Sequence, residues 1–446
     1  MNPSLIAKYN KAVPRYTSYP AVPHWQSVAP SQQQWLTELS DSYAKHPELS
    51  MYIHLPFCEA LCTYCGCNKR ITKNHKVESP YIDAVLAEWK IYLNHFDTKP
   101  VIKEIHLGGG TPTFFDPENL TRMLTTILDS AVLADDYEFS FEAHPNSTTR
   151  EHLSSLYDLG FRRISVGVQD VSPNILKAIN RQQTSEEVAN VTTWAREIGY
   201  TSVNYDIIYG LPFQRPMDVW ETTKFIAEQK PDRLAFYSYA HVPWKSAGQR
   251  AFTIDDVPTG KYKNDLYSLG RYLLEVEGYK SVGMDHFCLP TDSLYESYEK
   301  GNMHRNFMGY TNNYTRCSVA LGASSISDSW GMYVQNEKHI ETYQEIVNSG
   351  KLPIIKGHQL DSSEQNTRKH ILDLMCRDNT QWGAINALNP DQEILSDLAS
   401  DDLVTFTDNS IQVTEAGRYF VRNICSAIDP LFAESKNGKQ VFSKAI

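Results

Sequence analysis

The stretch Cys58-Glu-Ala-Leu-Cys62-Thr-Tyr-Cys65-Gly-Cys67 directly follows the apolar, strand-like run Met51-Tyr-Ile-His-Leu-Pro-Phe57. Four thiols packed so closely indicate metal ligands or a disulfide pair. Zinc sites usually pair cysteines as C-x2-C with a second pair well downstream, and no second pair follows here. Iron–sulfur clusters are also held by cysteine thiolates, normally four. A C-x3-C-x2-C loop can hold three irons of a cubane and leave the fourth iron open. The spacing therefore favours an iron–sulfur cluster, with a disulfide pair and a zinc knuckle as the alternatives.

Composition and charge exclude several classes of protein. The 446 residues are 41% hydrophobic and 21% charged, with a formal net charge of −11. An acidic chain of this kind argues against a nucleic-acid surface, which requires a basic domain. We find no apolar run long enough for a membrane span and no signal peptide at the start of the chain. The other four cysteines are scattered singly, which suits a reducing cytoplasm. We therefore expect a cytoplasmic protein.

From about residue 50 to 330, short apolar runs alternate with longer amphipathic ones. Strands separated by helices of this length indicate βαβ units and a parallel sheet. Six units are too few for a closed eight-stranded barrel, so an α/β fold with an open (β/α)6 three-quarter barrel is predicted. The six predicted strands are 51–55, 104–107, 138–143, 163–168, 203–209 and 233–239. The predicted helices between them include 81–96, 117–130, 185–198 and 217–229.

The predicted domain organisation has three parts. Residues 1–35 form an N-terminal arm, 36–350 the partial barrel, and 351–446 a mainly helical, winged-helix-like C-terminal cap. Within the cap, a helix over 367–377, a hairpin around Asp408-Asn-Ser410 and a helix over 414–424 are expected. The arm contains Pro14-Arg-Tyr-Thr-Ser-Tyr-Pro20, an extended stretch bounded by prolines.

Polar side chains occupy the carboxyl ends of several predicted strands, where α/β barrels carry their working groups. The turn Gly108-Gly-Gly-Thr-Pro112 follows the second strand, and its glycines allow close backbone approach to a ligand. Later strand ends carry Glu142, Gln169 and Asp206, and Arg181 comes shortly after the fourth strand. Any one of these residues alone is more often an ordinary polar loop residue. Their recurrence at successive strand ends favours a binding site.

The cysteine spacing resembles the cluster loop of radical S-adenosylmethionine (radical SAM) enzymes. The additional Cys67 makes the loop C-x3-C-x2-C-x-C, which resembles the oxygen-independent coproporphyrinogen III oxidases of haem synthesis. The related haem chaperones usually carry Phe at this position. The resemblance extends over nearly the whole chain and includes the Pro14–Pro20 stretch, which the shorter chaperones lack.

The resemblance implies a set of cofactors and site residues. A [4Fe–4S] cluster would be held by Cys58, Cys62 and Cys65, with one iron open to S-adenosylmethionine. Two S-adenosylmethionine molecules are implied. The residues implied to bind them are Tyr52, Tyr64, Gly109, Gly110, Thr111, Glu142, Gln169, Arg181, Asp206, Ala240 and Ile326. The residues implied at the reacting centre are Tyr52, Glu142 and Phe307.

The same resemblance implies the reaction. Reductive cleavage of S-adenosylmethionine would generate a radical that removes a β-hydrogen from a propionate. Loss of carbon dioxide and one electron would then leave a vinyl group. Two propionates of coproporphyrinogen III would be converted, giving protoporphyrinogen IX. The alternatives are a haem chaperone and another radical SAM enzyme acting on tetrapyrroles. A monomer is implied.

The chain departs from the family pattern at two places. Met308 stands where Gln is expected in Asn306-Phe-Met-Gly309, and it cannot form the hydrogen bonds of an amide. Arg316-Cys317 replaces an acidic residue and a leucine. The first change lies next to Phe307. The second precedes the Leu321–Ser327 stretch, which contains Ile326.

A basic run, Asn68-Lys-Arg-Ile-Thr-Lys-Asn-His-Lys76, follows the cysteines in this otherwise acidic chain. Such a run is by default a solvated loop. The functional hypothesis is a docking patch for an acidic, low-potential electron donor such as flavodoxin, because reduction requires the donor near the cluster. Charge reversal at Lys69 and Arg70 would test it.

Overall fold

The computed structural model describes residues 3–244, 246–384 and 387–434. The chain divides into two compact units, each built from separate segments. One unit contains 26–257 and 315–359, and the other contains 1–25, 258–314 and 360–446. In the described part of the chain, no helix has the length and apolar character needed to cross a membrane.

The larger unit is built around a parallel sheet in which six strands follow one another in chain order. Helices connect these strands, which confirms the predicted open (β/α)6 architecture. The six strands are β1 (Leu49–Leu55), β2 (Val101–Gly109), β3 (Val132–Ala143), β4 (Phe161–Gln169), β5 (Ser202–Tyr209) and β6 (Arg233–Ser238). The helices of this unit are Gln32–Lys45, Glu78–Leu93, Pro117–Asp129, Arg150–Asp158, Pro173–Ala178, Ser185–Ile198, Pro216–Gln229 and Ile340–Asn348.

Four further strands extend the sheet on the far side of β1. They are β7 (Cys317–Leu321), β8 (Ile326–Asp328), β9 (Met332–Asn336) and β10 (Ile354–Gln359). β7 runs parallel to β1, with Met51 opposite Val319, and the next three strands are antiparallel to their neighbours. This extension was not predicted from the sequence, because β7 has only five residues and a weak periodic signal, and its partner β1 lies more than 260 residues away.

The smaller unit has an apolar core assembled from three distant segments. Tyr9, Tyr16 and Tyr19 are buried together with residues such as Leu374 and Ile424. Its helices are Pro3–Tyr9, Gly260–Val276, Ser293–Glu299, Ser362–Arg377, Gln392–Ser400, Val421–Ser426 and Pro430–Glu434. Its strands are Lys280–Val282, His286–Cys288, His304–Asn306, Gly309–Thr311, Asn379–Gln381, Val404–Thr407 and Ser410–Val413.

This division differs from the predicted borders at 35 and 350. The arm ends at Trp25, because its tyrosines belong to the core of the smaller unit, whereas 26–35 belongs to the larger unit. Residues 258–314 were predicted to belong to the barrel domain, but they contribute to the core of the smaller unit. Residues 351–359 contribute β10 to the sheet of the larger unit. The expected C-terminal hairpin is present, and Asn379–Gln381 adds a third strand beside it. The expected helix over 414–424 begins only at Val421, after a short 3-10 turn.

A buried carboxylate ties the extension of the sheet to the barrel. Glu88 is fully buried on the helix Glu78–Leu93. Its Oε2 accepts hydrogen bonds from Gly322 N at 2.8 Å and Tyr343 Oη at 2.7 Å, and its Oε1 accepts one from Asn336 Nδ2 at 2.7 Å. Burial raises the pKa of Glu88 to about 7, although these donors oppose the shift.

We predict that Glu88 makes stability fall as pH rises from about 4.5 to 7. In this range the folded carboxyl keeps its proton and the unfolded one loses it, so the unfolded state binds fewer protons. Glu88→Gln should flatten the dependence of the melting temperature on pH between pH 4.5 and 7. The control is Glu345→Gln on the exposed face of the helix Ile340–Asn348, which should leave the dependence unchanged. If the melting temperature of Glu88→Gln kept the wild-type pH dependence, the raised pKa of Glu88 would not be its cause.

Candidate active site

The cysteine loop leaves the sheet at the carboxyl end of β1 and is closed at its base by backbone hydrogen bonds. Phe57–Cys58 pairs in parallel with Arg70–Ile71. Arg70 N donates to Pro56 O at 2.7 Å, and Thr72 N donates to Cys58 O at 2.9 Å. The eleven or so residues between these pairs are therefore held as one loop over the end of the sheet.

A second set of contacts fixes the middle of the loop. Thr63 N donates to Ile179 O at 3.0 Å, and Asn180 Nδ2 donates to Leu61 O at 2.7 Å. Lys69 Nζ donates to the carbonyl oxygens of Cys65 and Cys67 at 3.1 and 3.2 Å. Asn180 was not identified from the sequence. Its left-handed φ of 53° is a conformation that asparagine adopts more readily than most residues.

The loop and the glycine turn after β2 are joined to each other. Gly110 N donates to Leu55 O at 2.8 Å, and Thr111 N donates to Phe57 O at 2.9 Å. A Cβ on Gly110 would lie 2.7 Å from the carbonyl carbon of Pro56, so a side chain cannot be accommodated there without moving the backbone. Close approach of the two segments therefore requires glycine at this position.

A cavity opens beside this junction at the carboxyl ends of the strands. Its lining contains most of the residues proposed from the sequence: Cys58, Cys62, Cys65, Tyr64, Gly109, Gly110, Thr111, Glu142, Gln169, Arg181 and Asp206. Cys67, Lys69, His144 and Ser165 also line it. His144 lies two residues after Glu142 in the sequence, so its place beside a polar strand end was the signal that could have identified it.

Four residues proposed from the sequence lie elsewhere. Tyr52 is behind the glycine turn, with its hydroxyl 3.0 Å from His54 Nδ1. Ala240 is exposed and Ile326 begins β8, and neither lines the cavity. Phe307 belongs to the smaller unit, where its ring contacts Trp25 edge to face at 6.3 Å.

The two departures from the family pattern have different surroundings. Met308 lies between the paired strands His304–Asn306 and Gly309–Thr311, and its backbone N donates to Asn306 Oδ1 at 2.9 Å. The Arg316 guanidinium lies over the Trp330 ring at 5.2 Å. Cys317 is fully buried at the start of β7. Arg316 and Cys317 thus have structural roles, whereas nothing in the structure explains Met308.

The lining contains both acidic and basic groups. Glu142 Oε2 accepts from Gly109 N at 3.3 Å. Asp206 accepts from Ser165 Oγ and Asn204 Nδ2, each at 3.0 Å. Burial and the nearby Glu142 carboxylate raise the pKa of Asp206 to about 6. These two carboxylates can accept hydrogen bonds from hydroxyl or ammonium groups of a ligand.

Arg181 provides a fixed cation in the same lining. Its Nε donates to Gln183 Oε1 at 2.7 Å, and its Nη2 donates to Gly167 O at 2.5 Å. A Cβ on Gly167 would lie 2.6 Å from Arg181 Nη2, so glycine leaves room for the guanidinium. Burial, followed by the Arg181 charge, lowers the pKa of His144 to about 3, so this imidazole is neutral.

The thiols fit an iron–sulfur cluster better than the alternatives. All four cysteines of the loop are free thiols in the structure, with no disulfide bond between them. A tetrahedral zinc site with Zn–S bonds of about 2.3 Å would hold its sulfurs about 3.8 Å apart. Among the described residues, no three cysteine sulfurs lie within 4.8 Å of one another. Burial raises the pKa of Cys58 to about 11, whereas hydrogen bonding from Cys67 lowers that of Cys65 to about 6.

Comparison with known proteins identifies the family. The Radical SAM superfamily model matches residues 52–226. The oxygen-independent coproporphyrinogen III oxidase of Pseudomonas aeruginosa is 37% identical over 456 residues, covering 99% of this chain and 98% of the relative. The corresponding protein of Escherichia coli K12 is 35% identical over 454 residues, covering 99% of this chain and 98% of the relative. The chain belongs to the oxygen-independent coproporphyrinogen III oxidase family.

A solved structure agrees with this assignment. The coproporphyrinogen III oxidase from Escherichia coli, described as a radical SAM enzyme, has a TM-score of 0.88 and 33% identity. The match covers 96% of this chain and 99% of that one. The predicted family and fold class are therefore confirmed, and membership of the radical SAM family implies a [4Fe–4S] cluster and S-adenosylmethionine.

We predict that Gly110→Ala weakens S-adenosylmethionine binding. The new methyl group would overlap the Pro56 and Phe57 backbone. Overpacking of this kind costs about 1–3 kcal/mol, so affinity should fall by a factor of about 5 to 150. Calorimetric titration of the anaerobically reconstituted protein would measure it. Gly66→Ala is the matched control, because a Cβ there meets nothing within 4 Å. If the two variants bound S-adenosylmethionine with equal affinity, close approach of the glycine turn to the cysteine loop would not be needed for binding.

Proposed function

We propose that this protein is the oxygen-independent coproporphyrinogen III oxidase of haem synthesis. It would decarboxylate two propionates of coproporphyrinogen III oxidatively to vinyl groups, giving protoporphyrinogen IX. The observation that carries this proposal is the full-length similarity to oxidases of this name, together with a cavity that joins the cysteine loop to the glycine turn.

We further propose that Cys58, Cys62 and Cys65 hold the cluster and that Cys67 is not a ligand. The first three match the C-x3-C-x2-C spacing, which leaves one iron open to S-adenosylmethionine. When bound, these cofactors supply a reductively generated carbon radical that can remove hydrogen from an unactivated carbon.

The cavity lining suggests how the protein would hold the cofactor. Gly109, Gly110 and Thr111 present backbone groups to its methionine part. Arg181 carries the charge that suits a carboxylate, and Glu142 and Asp206 can accept hydrogen bonds from amino or ribose hydroxyl groups. Tyr64 packs beside the buried apolar cluster of Ile179 and Leu211 and would exclude water from this side. Gln169 also lines the cavity. Its own backbone φ is 66°, and strained backbone of this kind is typical of functional sites.

Tyr52, Phe307, Ala240 and Ile326 remain proposals from family resemblance. Tyr52 can act indirectly, because a Cβ on Gly108 would lie 2.9 Å from its ring and the glycine turn therefore rests on it. The second S-adenosylmethionine and a monomeric state are also proposals. Equilibrium dialysis against labelled S-adenosylmethionine would count the cofactors, and sedimentation would give the oligomeric state.

We predict that Cys62→Ala abolishes both cluster assembly and turnover. The test is an anaerobic assay with reconstituted protein, a reductant, S-adenosylmethionine and coproporphyrinogen III, with porphyrins separated after oxidation. Wild type should give protoporphyrin, and Cys62→Ala should give none and lose its iron. Cys67→Ser is the matched comparison and should keep its iron. Loss of iron from Cys67→Ser equal to that from Cys62→Ala would overturn the ligand assignment.

The same assay tests the alternatives. Cleavage of S-adenosylmethionine by wild type without protoporphyrin would retain the radical chemistry and reject this substrate. Tight stoichiometric haem binding without turnover would favour a chaperone.

We propose that the basic run after the cysteines docks an acidic electron donor. Lys69 and Arg70 are poorly suited to test this hypothesis. Lys69 holds two carbonyl groups of the cysteine loop, and Arg70 forms an ion pair with Glu341, so both have structural contacts. Lys73 lines the cavity, whereas Lys76 is exposed and lies outside the lining.

We predict that Lys76→Glu slows turnover supported by flavodoxin and weakens its dependence on salt. Attraction between oppositely charged surfaces mainly accelerates association, and salt screens it. Turnover with dithionite is the control and should not change. Unaltered flavodoxin-dependent rates at low salt would reject the docking hypothesis.

A further inference from the structure

The sulfurs of Cys58 and Cys62, two of the proposed ligands, each accept a hydrogen bond from a residue outside the cysteine loop. Thr111 Oγ1 donates to Cys58 Sγ at 3.4 Å. Arg181 Nη1 donates to Cys62 Sγ at 3.7 Å. The two donors come from different strand ends, the turn after β2 and the segment after β4, so neither contact follows from the spacing within the cysteine loop.

The threonine donor is held in place by its own backbone. Thr111 N donates to Phe57 O at 2.9 Å, one residue before Cys58. This bond brings the hydroxyl and the sulfur to neighbouring positions on the two joined segments. The hydroxyl group is thus oriented before any ligand arrives.

The arginine donor is equally constrained. Two of its other nitrogens are used, Nη2 on Gly167 O and Nε on Gln183 Oε1. Gln183 is held in turn by its Nε2, which donates to Val168 O at 2.6 Å. A planar guanidinium fixed at two of its nitrogens has its third directed at Cys62 Sγ.

These contacts have an electrostatic consequence for a cluster bound to the cysteines. Reduction adds one electron, supplied by an external reductant, and increases the negative charge on the sulfurs. Donors to the sulfurs stabilise the more negative form and thereby raise the reduction potential. Arg181 adds a full positive charge to the effect, whereas Thr111 adds only a dipole.

We propose that Thr111 and Arg181 set the reduction potential of the cluster through hydrogen bonds to the Cys58 and Cys62 sulfurs. This role is separate from cofactor binding and would make reduction of the cluster easier before S-adenosylmethionine is cleaved. The inference rests on the proposed cluster and its ligands. It does not depend on the tetrapyrrole substrate.

The experiment is a redox titration of the full-length reconstituted protein without S-adenosylmethionine, with the reduced cluster followed by electron paramagnetic resonance. Omitting the cofactor separates the potential from any effect on binding. Thr111→Val removes the hydroxyl and keeps the shape, and Thr111→Ser restores the hydroxyl. Arg181→Gln removes the charge, and Arg181→Lys retains it. Iron content is measured for every sample.

Matched controls come from neighbouring residues of the same type. Thr113 lies two residues from Thr111, and its hydroxyl is 3.0 Å from Ser147 Oγ. Arg163 lies on β4 and forms an ion pair with Glu138 at 2.9 Å. Thr113→Val and Arg163→Gln should leave the potential unchanged.

We expect the ratio of reduced to oxidised cluster at a fixed potential to fall about threefold in Thr111→Val. It should fall about tenfold in Arg181→Gln, which corresponds to about 59 mV for one electron. Thr111→Ser should match wild type, and Arg181→Lys should lie between wild type and Arg181→Gln.

Wild-type potentials in both Thr111→Val and Arg181→Gln, with full iron content, would overturn the proposal. Equal shifts in the two control variants would also overturn it, because they would reveal a general structural disturbance. If Arg181→Gln assembles no cluster, the proposal is tested by the reduction potential of Thr111→Val and by its return to the wild-type value in Thr111→Ser. Failure of protoporphyrin formation would leave this result unaffected and would count against the proposed function alone.

Discussion

The parallel pairing of β1 with β2 is the interaction on which the site depends. The ladder aligns Tyr52 with His106 and Leu55 with Gly109, and it continues beyond both strands through the bonds from Gly110 and Thr111 to Leu55 and Phe57. The cysteine loop and the glycine turn therefore keep the register of the sheet. Because a shift by one residue would turn every side chain to the other face, this register determines which groups face the cavity.

Burial explains how a small set of polar residues can be effective here. Asp206 accepts hydrogen bonds from Ser165 and Asn204, and Arg181 donates hydrogen bonds to Gln183 and Gly167. Charged groups fixed in this way keep their orientation when a ligand binds, so little reorganisation is needed. Burial also strengthens the hydrogen bonds to the cysteine sulfurs. Residues that would bind the cofactor therefore also affect the electronic properties of the cluster.

The smaller unit shows why domain borders were difficult to predict. Tyr9, Tyr16 and Tyr19 of the N-terminal segment look like an isolated arm in the sequence, because no core-forming pattern surrounds them. In the structure they are buried with residues from two later segments, including Tyr310 and Leu374. A core shared by segments hundreds of residues apart leaves no periodic signal in any one of them. The short strands β7 to β10 were missed for a related reason.

The sequence by itself determined the six βα repeats, the cluster loop and the polar strand ends, because each depends on local periodicity or on residue spacing. It also indicated the family, since Cys67 and the Pro14–Pro20 stretch lie within the sequence motifs themselves. Only the tertiary structure decided that Thr111 and Arg181 contact the cysteine sulfurs, and that Glu88 joins the Gly322 turn. Those contacts connect residues far apart in the chain. Their geometry is set by sheet register and helix packing, which no local pattern encodes.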